Sequence, residues 1–98
     1  MIVYVCVGNS DDKLTQQQWA RYVAEFRDLV TGSAMRTHGV WFSPPDIAYQ
    51  NAVICVEFVT GFDFRDLKRE LGRLAADYYQ NSIAWAEVPN TEFITGTR

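Results

Sequence analysis

Met35 to Ser43 (M-R-T-H-G-V-W-F-S) and Ala52 to Val59 (A-V-I-C-V-E-F-V) are two extended, apolar-rich runs with no helical stretch between them. Pro44-Pro45-Asp46 closes the first, because a proline pushes its predecessor out of the helical region and cannot extend a strand ladder. The polar linker that follows carries Ile47 and Tyr49, which are expected to pack down onto the molecule. These runs read as consecutive strands, and what flanks them sets the fold. Upstream, Trp19, Tyr22, Val23, Phe26, Leu29 and Val30 recur at three- and four-residue spacing, with Arg21, Glu25, Arg27 and Asp28 on the other face. That is an amphipathic helix. Thr15 and Gln18 have capping-box spacing, Leu14 and Trp19 occupy staple positions, and Gly32 is a natural stop. Downstream, Phe64, Leu67, Leu71, Leu74, Ala75 and Tyr78 make a second helical stripe. Asp63 is its expected N-cap, Phe62 and Leu67 its staple, and Asn81 its left-handed C-cap.

Ile2 to Val7 at the start and Ser82 to Val88 near the end are β-branched or aromatic runs closed by turn residues, Gly8-Asn9 and Pro89-Asn90. Phe93 and Ile94 could add a short edge segment. The order is strand, helix, strand, strand, helix, strand. Two β-α-β units joined by a hairpin predict an α+β, ferredoxin-like βαββαβ sandwich: a four-stranded antiparallel sheet with both helices on one face. All 98 residues are expected in this one domain.

Composition narrows the function. The chain is 48% hydrophobic and 14% aromatic, ample for a packed core, and carries a net charge of −3. That charge disfavours nucleic-acid or anionic-membrane partners. Arg65, Lys68, Arg69 and Arg73 are interleaved with Asp66, Glu70 and Asp77, the pattern of spaced ion pairs on a solvated helix. Met1 to Val7 is too short for a signal peptide or membrane span and lacks a basic flank. Cys6 and Cys55, inside apolar strands, read as reduced thiols of a cytoplasmic protein. One histidine and no C-x-x-C pair leave no metal or cofactor signature.

Period-two alternation compares the two faces of the sheet. Val3, Val5 and Val7, with Ala52, Ile54, Val56 and Phe58 and with Ala84, Ala86 and Val88, suit close helix packing. The remaining sets place Tyr4, Cys6, Val53, Cys55, Ile83 and Trp85, with Glu57 and Glu87, on the face without helices. Such an apolar patch predicts a sheet-to-sheet homodimer, and the paired sheets could enclose a pocket reached by Glu57, Glu87, Trp85, His38 or Trp41. The loop Gly8–Lys13 precedes a helix start, so Asn9, Ser10, Asp11 and Asp12 are candidate ligand contacts together with Trp41 and Trp85. Asp11 and Asp12 argue against a phosphate there. If the chain is an enzyme, its base is His38, Glu57 or Glu87. The residues favour a non-catalytic binding module for a small ligand or a protein.

Three resemblances accompany this reading. Length, element order and the apolar open face resemble the dimeric α/β-barrel proteins, which implies a cofactor-independent monooxygenase or isomerase as the enzymatic alternative. The opening Met1-Ile2-Val3-Tyr4-Val5-Cys6-Val7-Gly8-Asn9-Ser10-Asp11-Asp12-Lys13 looks like the start of Cas2 nucleases, although Gly8 stands where that family has its aspartate. G-N-S-D-D-K-L-T-Q at Gly8–Gln16 and S-I-A-W-A at Ser82–Ala86 look like small proteins of actinobacteria and their phages, which implies an inhibitory or sequestering role.

Overall fold

The computed structural model describes every residue except Pro45, Asp46, Ala48 and Arg98. Strand β1 spans Ile2–Gly8, helix α1 Gln16–Ser33, β2 Arg36–Phe42, β3 Asn51–Glu57, α2 Arg65–Asp77 and β4 Ala84–Val88. The strands form one antiparallel sheet in the order β2-β3-β1-β4. The two apolar central strands β1 and β3 pair along their length, from Ile2 opposite Glu57 to Gly8 opposite Asn51. Buried residues of both helices join Val3, Val5, Val7, Ala52, Ile54 and Val56 in one core, so the helices cover one face and leave the other open.

Local chemistry places the helix ends. Thr15 and Gln18 form the complete capping box, each side chain bonded to the other's backbone amide. At α2 the N-cap is Phe64, one residue later than the Asp63 expected, and its side chain makes no capping bond; Asp63 Oδ1 accepts from the Arg65 amide from the position before the cap. The C-terminus corrects the expectation for Asn81. Tyr79 takes the left-handed conformation at φ 57°, with the Gln80 amide on Ala75 O and the Tyr79 amide on Ala76 O. These bonds close a Schellman motif two residues earlier than Asn81 would. A left-handed non-glycine residue is strained by about 1–2 kcal/mol, and Tyr79 is largely exposed. Tyr79→Gly should therefore raise stability by about 0.5–1 kcal/mol, measured by urea denaturation.

Three further expectations are corrected. Pairing of Val5 with Trp85 and of Val3 with Glu87 puts Trp85 and Glu87 on the helix side, leaving Ala84, Ala86 and Val88 on the open face. Ile83, of the same parity, packs on the core with Trp85. The physical reason is reach. At an edge strand the side chain must be long to meet the helix layer, and Trp85 stacks on Phe58 and meets Phe64 edge-on, with centroids 6.0 and 5.0 Å away. Ile47 and Tyr49 stay exposed rather than packing down. Among the described residues the segment after β4 adds no strand, and Phe93 and Ile94 are exposed. The turn expected at Pro44-Pro45-Asp46 lies partly outside the described residues.

The core contains one polar anomaly. Tyr22 is fully buried, stacked on Tyr78, and its hydroxyl has no hydrogen-bond partner among the described residues. Burial pushes its pKa from 10.0 up to about 12. Above pH 10 the unfolded chain ionises first, so stability falls with rising pH until the folded-state value is passed. Tyr22→Phe removes an unsatisfied group of equal shape. It should stabilise the fold by about 1 kcal/mol and flatten that alkaline loss, as read by denaturation at pH 8 and pH 11.

Candidate functional site

The open face is built in rows across the sheet. Arg36, Glu57, Ile2 and Val88 form one row; Gly39, Cys55, Tyr4 and Ala86 the next; Trp41, Val53, Cys6 and Ala84 the third. His38 is an extra residue in β2, where the register shifts between Thr37 and Gly39. This bulge decides the site. His38 and Trp41 are three residues apart and could not share a face of a regular strand. With the bulge, Trp41 sits opposite Val53 while His38 Nε2 lies 2.9 Å from Glu57 Oε1. Trp41 and Tyr4 remain 55% and 43% exposed, so the two largest rings of the face stand in solvent.

Electrostatics concentrate at one end of the face. The His38 hydrogen bond holds the Glu57 carboxyl below its ordinary range, helped by Arg36 and the chain's amino terminus and opposed by burial. This contribution to stability is present above the ordinary carboxylate range and is lost as pH falls through the lowered value. Tyr4 is raised by its hydrogen bond with Cys55, then by charge repulsion and burial, and burial raises the Cys6 thiol. A raised thiol is a poor nucleophile.

The candidate residues do not all converge. Glu57 and His38 meet, whereas Glu87 lies on the other side of the sheet, accepting from Trp85 Nε1 at 3.1 Å and 3.9 Å from Lys68 Nζ. Glu57 and Glu87 therefore do not share a cavity. The hollow that Glu57 lines, with Ile2, Val88 and Phe93, holds about 160 Å³, below the size of ordinary ligand pockets. Among the described residues, no three metal-ligating side chains cluster, and no helix is long and apolar enough to cross a membrane.

The Gly8–Lys13 loop is spent internally. Asn9 is 2% exposed; its Oδ1 accepts from the Leu14 amide, and its Nδ2 donates to Leu14 O and Gln50 Oε1. The Asn9 side chain is thus engaged inside the loop and not presented on the surface with the other candidate contacts. The Ser10 amide donates to Gln80 Oε1, and the amides of Asn9, Asp12 and Lys13 to carbonyls, so these donors form no anion cradle. Asp11 and Asp12, left-handed at φ 55° and 51°, are exposed, and Lys13 Nζ donates to Tyr79 O. The partners Gln16, Gln50 and Gln80 were not singled out by the sequence, since glutamines in polar segments carry no pattern that reveals long-range pairing. No family model matches this chain, and neither the curated proteins nor the solved structures contain a match.

Proposed function

We propose that this chain is a ferredoxin-like, non-catalytic binding module that acts as a homodimer through its open sheet face. The strand order β2-β3-β1-β4, with β1 and β3 central and the helices on one side, supports the fold name. The observation that carries the function is the continuous apolar surface of Tyr4, Trp41, Val53, Cys6 and Cys55, with Ala84 and Ala86 beside it. Isolated exposed apolar residues need no partner, but a patch rimmed by charge on one side does. The ligand or protein partner is expected at the rim, near Trp41 and exposed Asp11 and Asp12, and a phage-type inhibitory or sequestering role fits a module of this size. The free thiols fit a reducing compartment such as the cytoplasm.

Native mass spectrometry with thiol oxidation tests the dimer. The expected species has twice the 11.2 kDa chain mass, and Trp41→Glu returns it to the monomer. Diamide should link wild-type copies covalently and fail on the Cys6→Ser, Cys55→Ser variant. A wild-type monomer at high micromolar concentration overturns the reading. One observation favours a second reading, the cofactor-free barrel oxygenase or isomerase: the His38–Glu57 hydrogen bond could orient a general base toward a space closed by a second sheet.

A further inference from the structure

A different surface, away from the open face, has the parts of a peptide-docking groove. Strand β4 is at the edge of the sheet beside β1, so its outer backbone groups have no strand partner among the described residues. Beside it, Lys68, Leu71 and Gly72 of α2 face Ile83 and Trp85 across a groove of about 380 Å³. Gly72 is unexpected there. It sits in the interior of a 13-residue helix, where glycine is the poorest choice apart from proline. A Cβ at this position would meet nothing within 4 Å, so no contact inside the chain requires its absence. The notch instead leaves the helix backbone open to a visitor. Lys68 lies one turn earlier on the same helix face, its ammonium 5.0 Å from the Trp85 ring centre and half exposed. Its nearest carboxylate, Glu87, is 3.9 Å away, beyond a hydrogen bond, so the cation has donors left over.

We infer that the β4 edge and α2 together bind an extended segment of another protein as an added strand, with an apolar side chain over Gly72 and an acidic one on Lys68. Backbone bonds to the β4 edge supply affinity and the groove reads alternate side chains. The spacing fits: four helical residues separate Lys68 from Gly72 by about 6 Å, and alternate residues of a strand are about 6.7 Å apart. The recognised pattern is therefore apolar-x-acidic or its reverse. The chain's own tail does not meet this requirement in place, because Phe93 lies with Met1, Ile2 and Val88 at the end of the open face.

A random heptapeptide library displayed on phage, selected on the intact protein, tests the assignment. Selected peptides should carry an apolar and an acidic residue two positions apart and, as synthetic peptides, shift the amide resonances of Ala84–Val88. Gly72→Leu should weaken them by at least about tenfold by filling the notch. Gly72→Ala should raise the melting temperature yet weaken binding, separating the groove from stability. The inference is overturned by no enrichment over an unrelated bait, by shifts confined to the open face, or by Gly72→Leu binding like the wild type. A change in the number of chains per assembly on Gly72→Leu would assign the edge to a second copy and overturn the peptide assignment. None of these readouts depends on the open-face dimer, which Trp41→Glu reports separately.

Discussion

Phe58→Ala should remove about 3–5 kcal/mol, the largest loss expected from any single truncation here. A domain of this size holds only about 5–15 kcal/mol in total, so the variant would sit near its unfolding midpoint at modest denaturant. Phe58 is 1% exposed and follows β3 directly. Its ring meets Phe62 and Phe64 at centroid distances of 5.0 Å each, and Trp85 at 6.0 Å. It thus ties the end of β3, the entry to α2 and the edge strand β4 into one cluster. Its amide donates to Met1 O, which fixes the start of β1 against the same cluster. Urea denaturation should show a lower midpoint with an unchanged slope, because the same surface is exposed on unfolding. Phe58→Leu, which leaves a smaller void, should lose less than half as much. An alanine loss below about 1 kcal/mol would mean that the cluster relaxes around the gap and carries little of the fold.

The second large effect concerns a polar residue. Asn9→Ala should cost about 2–4 kcal/mol, although the side chain removed is small. The reason lies in what remains. The Leu14 amide and carbonyl both bond to the Asn9 side chain, and Leu14 is itself buried, so truncation strands two backbone groups away from water. Gln50 Oε1 loses one of its donors and keeps Gln16. The loop would loosen ahead of α1, and amide exchange at Leu14 should accelerate more than exchange in the β1–β3 ladder. Asn9→Asp gives a sharper check. It keeps an acceptor for the Leu14 amide but places a carboxylate against Leu14 O and Gln50 Oε1, so its deficit should shrink as the solution is acidified. A deficit unaffected by pH would show that the network tolerates the charge by opening to water.

These contrasts explain which features were legible in the sequence. Helix signals are local: the Thr15–Gln18 box depends on residues within one turn and is formed, and the start of α2 lies within one residue of the Asp63 expected to cap it. Strand existence was equally readable from the β-branched runs. Face assignment in β4 was not, because alternation separates Trp85 and Glu87 from Ala84 and Ala86 without saying which set meets the helices. That choice depends on the distance from an edge strand to α2 and on the aromatic corner at Phe58, neither of which is a local property. Tyr79 displaced Asn81 as the left-handed residue for a related reason: the Ala75 and Ala76 carbonyls fix the stop, whatever residue arrives there. At the site, His38 and Glu57 were both candidates, but their meeting depended on a bulge that leaves no composition signal beyond Gly39.

That bulge makes β2 a strand with two reading frames. Residues before it and after it obey opposite parity, so each half can change without dictating the face of the other. Deleting one residue at the bulge would make the β2–β3 ladder regular and leave Trp41 outward opposite Val53, whereas deleting one further along, between Gly39 and Trp41, would put the two halves in conflict. Variation in this strand is therefore better judged by where an insertion falls than by how many residues differ.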